Sequence, residues 1–78
     1  MIISVTEDHI TRGKKNSPWK CPVALAAKDA GISDVAVFSI WLVTEEARIP
    51  LPAEARAFIR AFDHGQPVTS FSFELEVT

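Results

Sequence analysis

Cys21, His9 and His64 are the side chains in this chain best suited to chemistry. Cys21 immediately precedes Pro22, a residue that fits the first position of a helix. A helix N-terminus stabilises a thiolate, and Lys20 next to it would add to that effect. With His9 folded over the thiol, the two would make a nucleophile and its base. The spacing does not bring His9 there, and the sequence offers no third residue to orient it. Cysteine is also among the residue types most often buried as a plain hydrophobe, so the expectation for Cys21 is a structural thiol. The same three residues could in principle hold zinc. Zinc ligands announce themselves by local pairs such as C-x2-C or H-x3-H, and none is present. His64, just before Gly65, suits a helix end, where partial positive charge is favourable. His9 reads as a polar residue on a short helical turn. No catalytic residue, metal site or cofactor is expected.

The segment from Arg12 to Lys20 offers binding chemistry instead. It carries Arg12, Lys14, Lys15 and Lys20 with no acid among them, and Trp19 lies beside the last. Net charge is −2, yet residues 1–30 hold five Lys or Arg against three acids, and residues 31–78 hold three against seven. Such asymmetry steers association with a charged partner. Trp19 could stack on a base while the cations hold phosphates, as on single-stranded nucleic acid. Nucleic-acid modules are typically basic, whereas this chain is acidic, so nucleic acid is the weaker expectation. Tryptophan is equally a residue of protein interfaces. Gly13-Lys14-Lys15 lacks the spacing of a phosphate-binding loop. Glu45, Glu46 and Glu54 fall in a turn and a first helical turn, where acids are solvated and expected.

Seventy-eight residues make one domain, 1–78, burying roughly 60–65% of the unfolded surface. A hydrophobic share of 47% and a charged share of 23% describe a globular chain rather than a disordered or membrane-spanning one. Glu7 and Asp8 interrupt the N-terminus before any signal-like apolar region develops. A single cysteine fits a reducing compartment. A cytoplasmic protein with no membrane contact is therefore expected.

Ile2 to Val5 reads as a strand, and Thr6 caps a short helical turn, Glu7 to Arg12, stopped by Gly13. Pro22 opens a helix running to Ala30, with Gly31 in a left-handed terminal position and Val23, Ala26, Ala27 and Ala30 as its packing stripe. Val35 to Val43 is apolar at both alternating sets of positions. As one strand it would put Val35, Val37, Trp41 and Val43 on one face and Ala36, Phe38, Ile40 and Leu42 on the other. A break at Ser39 would move the hairpin upstream. Otherwise Thr44 to Ala47 is the turn, and Arg48 to Leu51 returns as an edge strand limited by Pro50. Pro52 opens a second helix with Ala55, Phe58, Ile59 and Phe62 inward and Arg56 and Arg60 together outward. The last strand alternates cleanly, with Phe71, Phe73, Leu75 and Val77 on one face. The order is β-α-β-β-α-β, an α+β fold with a four-stranded, mainly antiparallel sheet and two helices on one face.

Three stretches carry a resemblance: Val5-Thr-x-x-His-Ile-x-x-Gly13, Cys21-Pro-Val-Ala-Leu-Ala26, and Leu51-Pro-x-Glu-x-x-x-Phe-Ile-x-x-Phe-Asp-x-Gly-x-Pro-Val68 followed by Phe71-x-Phe-x-Leu75. The pattern resembles a group of short uncharacterised proteins from bacteriophages and prophages. The resemblance implies a setting and no activity: small phage proteins without catalytic residues often occupy a host complex, as anti-CRISPR proteins do. The leading expectation is a non-enzymatic protein-binding module that blocks a host defence complex such as a CRISPR effector. Its contact residues would be Arg12, Lys14, Lys15, Trp19 and Lys20, with Trp41 near a second surface. Two rivals stand beside it. One is a self-associating domain that buries the surplus apolar face of Val35–Val43 against its own copy. The other is a single-strand-binding accessory protein using the loop 12–20.

Overall fold

The computed structural model describes residues 1–76; Val77, expected on the inner face of the last strand, lies outside them. Eight elements follow in order: β1 (Ile2–Val5), α1 (Glu7–Arg12), α2 (Pro22–Asp29), β2 (Ala36–Val37), β3 (Trp41–Val43), β4 (Arg48–Pro50), α3 (Ala53–Asp63) and β5 (Phe71–Glu74). The fold is α+β, as the pattern predicts, but its strands form two antiparallel sheets rather than one sheet of four. β1 pairs with β5, from Ile2 opposite Glu74 to Val5 opposite Phe71. β2, β3 and β4 form a separate meander, with Val37 opposite Leu42 and Leu42 opposite Ile49.

The parity of the buried residues explains the difference. Val35, Val37 and Leu42 are all buried, yet an unbroken strand would put Leu42 on the face opposite the two valines. A turn at Phe38–Ile40 resets the alternation, and the Phe38 N–H donates to the Trp41 carbonyl at 2.8 Å to close it. The apolar run is thus a hairpin broken around Ser39. Leu42 moves inward, while Trp41 and Val43 share the outer face with Ala36 and are half-buried. Neither edge of this small sheet pairs with β1 or β5. The outward N–H of Val37 donates to the Pro18 carbonyl at 2.7 Å, and β4 ends on Pro50, which has no N–H to give.

The helices begin and end for local reasons. Thr6 caps α1 through a capping box in which His9 takes the place usually held by Glu or Gln. Cys21 caps α2 by accepting the Ala24 N–H on its sulfur at 3.4 Å. α2 ends in a Schellman motif: Gly31 has φ +100°, and the Ile32 N–H reaches the Ala27 carbonyl at 3.1 Å. α3 ends the same way, with Gly65 at φ +75° and the Gln66 N–H on the Ala61 carbonyl at 2.9 Å. Gly13 stops α1 as expected, its N–H donating to the His9 carbonyl at 2.8 Å, but without a left-handed backbone. Its φ is −68°, and glycine is required there by space, because a Cβ would sit 2.6 Å from the Pro22 ring.

The core lies where the inner faces of the two sheets meet α2 and α3. Ile3 and Val5 of β1, Val23 of α2 and Leu42 of β3 are each at most 1% exposed. All four residues of the expected α3 stripe are buried. On α2 the stripe holds for Val23, Ala26 and Ala27, but Ala30 is exposed beyond the helix end. Phe58 and Phe71 meet at 4.7 Å between ring centroids, and Phe71 and Phe73 at 5.6 Å, so aromatic contacts tie α3 to β5. No helix among the described residues is long and apolar enough to cross a membrane.

Candidate functional site

His9, Cys21 and His64 lie apart, and among the described residues no three His, Cys, Asp or Glu side chains converge as metal ligands. Cys21 is 4% exposed, and burial pushes its thiol up from the ordinary range. It is a buried capping residue, held in the protonated form that a nucleophile must leave.

His9 is the one buried polar residue among the described residues, and it sits in a chain of hydrogen bonds. The Thr6 N–H donates to its Nδ1 at 3.0 Å, which fixes the ring proton on Nε2. Nε2 then donates to the Asp29 carboxylate at 2.7 Å. The Thr6 hydroxyl lies 3.1 Å from Nδ1, so the connectivity superficially matches a hydroxyl, base and carboxylate relay. The lone pair that a base would use is already occupied by a backbone N–H. The group is a helix cap tied to α2, and it holds the Asp29 carboxyl below the usual carboxylate range, chiefly through the His9 hydrogen bond. Arg12 belongs to the same network. Its guanidinium pairs with Asp8 at 2.8 Å and approaches Asp29 at 3.9 Å, which leaves little of its charge for a partner.

The remaining loop residues are fixed in place. The Asn16 N–H donates to Asp63 of α3 at 2.9 Å, Pro18 pairs with β2, and the Lys28 ammonium holds the Trp19 carbonyl at 2.8 Å. Lys14, Lys15 and Lys20 are exposed, and none pairs with a carboxylate among the described residues. The Trp19 side chain is 60% exposed. Trp41 does not join them: it lies half-buried on the outer face of β3, with the Arg48 guanidinium 5.0 Å above its ring.

The site that the structure does assemble is at the tip of the β2–β3 hairpin. Phe38 and Ile40 are 45% and 48% exposed there, in a turn that polar residues or glycine usually fill. Phe38 lines a cleft of about 180 Å³ that reaches Pro18 and Cys21. Ile40 lines a groove of about 380 Å³ with Ile59, Arg56, Arg60 and His64 of α3 and its end. Ser39, Asn16, Ile59 and Asp63 border both, so the tip stands between two parts of one trough. Arg56 and Arg60 make no ion pair among the described residues. The His64 Nδ1–H donates to the Arg60 carbonyl at 2.7 Å, and the residue is exposed. Lys15 lies over the C-terminal end of α3, where a Cβ added to Gly65 would meet its ammonium at 3.1 Å. Asp63, the acid in the lining, is engaged by Asn16.

Sequence reasoning placed Arg56 and Arg60 together on the outside of α3 but did not connect them to Ile40. The missing signal was the parity of Val37 and Leu42, which marks the turn and hence the exposed tip. No protein-family model matches the chain, and no curated protein and no solved structure matches it either.

Proposed function

We propose that this protein is a non-enzymatic binding module that docks on another protein through the Phe38-Ser39-Ile40 hairpin tip. The observation that carries this reading is the exposure of two large apolar side chains on a tight turn beside a groove. A partner that covers them gains the transfer free energy of both, about 25 cal/mol for each Å² removed from water. Trp19, on the neighbouring loop, is a further anchor of the type that dominates protein interfaces. Lys14, Lys15 and Lys20 supply a positively charged rim, while Arg12 and Trp41 are engaged within the fold and carry less of the contact. The resemblance to short phage and prophage proteins makes a host complex such as a CRISPR effector the first partner to test.

The test compares affinity purification from a bacterial host with wild type and with the F38S/I40S double variant, each checked for an unchanged thermal midpoint. Wild type is expected to retain a partner that the variant loses. Recovery of the same proteins by both would overturn the reading.

A further inference from the structure

The trough around the hairpin tip has a second property, its charge. Arg56, Arg60 and His64 follow one another at intervals of four along α3 and its end, so they form one ridge beside the groove. Both arginines are exposed and lack a carboxylate partner among the described residues. The Lys15 ammonium adds a further positive charge at the end of the same ridge. Asp63 is the acid in the groove's own lining, its carboxylate taking the Asn16 N–H, so the cations outnumber it there. Glu54, Glu74 and Glu76 border a different hollow with Pro50 and Pro52, and Asp34, Glu45 and Glu46 border a third. A net charge of −2 therefore hides a cationic groove with an apolar wall made by Ile40 and Ile59.

We infer that this groove binds an acidic polypeptide segment carrying an apolar anchor residue. The inference rests on the binding-module reading and names the class of partner. Ile40 and Ile59 would receive the anchor, and Arg56 and Arg60 would each take a carboxylate flanking it. Guanidinium is suited to that contact because its fork matches a carboxylate with two parallel hydrogen bonds. A groove of about 380 Å³ accommodates a few side chains, near the lower end of the size range of small-molecule pockets. A nucleic-acid strand fits less well. Ile40 offers no ring to stack on, and the chain is acidic overall.

Fluorescence anisotropy tests this with three probes: a labelled ten-residue Glu/Asp peptide with a central leucine, the same peptide with serine replacing leucine, and a labelled oligothymidylate. The leucine peptide is expected to bind, with affinity falling steeply as salt is raised. Exchange of leucine for serine and the I40S variant should each weaken it severalfold, and R56E/R60E roughly tenfold or more. No anisotropy change with the leucine peptide, equal binding of the serine peptide, or tighter binding of the oligothymidylate would each overturn the inference. The two readings fail separately. If F38S/I40S loses the cellular partner while R56E/R60E retains it, the acidic-segment inference falls and the docking tip stands. If both variants retain it, both fall.

Discussion

The two histidines occupy opposite kinds of surroundings. His9 is 5% exposed, and both of its ring nitrogens are used: one takes the Thr6 N–H and the other holds Asp29. The charged groups next to it are engaged too: Asp29 accepts from His9, and Arg12 closes on Asp8. His64 is exposed, with one nitrogen tied to the Arg60 carbonyl and no hydrogen-bond partner on the other among the described residues. Its neighbours Arg56 and Arg60 close on no acid among the described residues, and Ile40 beside them is bare. One region spends its polar groups on holding the N-terminal helix to α2. The other leaves cations and an apolar side chain available together. In so small a domain, whose stability margin is only a few kcal/mol, that separation distinguishes residues that keep the fold from residues left for contact.

The sharpest way to break the contrast is H9A. It removes the side-chain half of a capping box, leaves the Thr6 N–H without its acceptor, and opens a void between α1 and α2. Loss of a cap costs about 1 kcal/mol, and an unsatisfied donor with a partly collapsed cavity adds about as much or more. The expected total is about 2–3 kcal/mol, or a fall in thermal midpoint of about 10–20 °C. H9Q should recover part of it, since glutamine restores the capping box but not the bond to Asp29. Denaturant unfolding of the three proteins checks this, and a loss under about 1 kcal/mol for H9A would show that His9 is not spent on the fold.

Legibility in the sequence follows the same division. Helix starts and stops were readable because they depend on local chemistry: Thr6, Pro22, Gly31, Gly65 and the four-residue stripe of α3 each act within a few positions. The partition into two sheets was not, because it depends on what lies across from each strand. Val35–Val43 satisfies the strand pattern throughout, and only the burial of Leu42 with Val37 shows where it turns. Gly13 is the helix stop its position predicts, but the space constraint that demands glycine comes from the Pro22 ring nine positions later. The cationic loop was visible as a charge run. Whether each cation was engaged was only partly so: Asp8 stands one helical turn before Arg12, but the approach of Asp29 of α2 to Arg12 depends on how the helices pack.

A smaller effect follows from pH. The His9 hydrogen bond, with help from the charge of Arg12, lowers the Asp29 carboxyl. As pH falls, the unfolded chain takes up a proton at this position first. The contribution of Asp29 is therefore complete above the ordinary aspartate value of about 3.9 and drains away as pH drops through the lower folded value. D29N retains an oxygen that can accept from Nε2 but carries no charge to protect. Urea unfolding at a series of pH values should show wild type more stable than D29N at pH 6, with the gap closing below about pH 4. A gap that stays constant down to pH 2 would mean that the Asp29 charge contributes nothing, and the closed network would lose its electrostatic component.

The smallest effect on stability is expected where the effect on binding is largest. Phe38 and Ile40 stand nearly half in the open, on a turn whose closing bond runs between backbone atoms, from the Phe38 N–H to the Trp41 carbonyl. Serine suits such a turn better than either residue, because its hydroxyl can bond to nearby backbone groups. The apolar area forfeited by F38S/I40S is only the part already hidden from water, and improved turn chemistry offsets some of it. The unfolding free energy from urea titration should therefore change by no more than about 0.5 kcal/mol, with an unchanged denaturant slope. A loss well above 1 kcal/mol would mean that the tip packs as core. Phe38 and Ile40 would then belong with His9 among the residues that keep the fold, and the contrast between the two histidine regions would have no functional meaning. A change within the expected limit leaves two large apolar side chains that contribute almost nothing to holding the domain together, on the border of a groove lined by arginines that pair with no acid among the described residues.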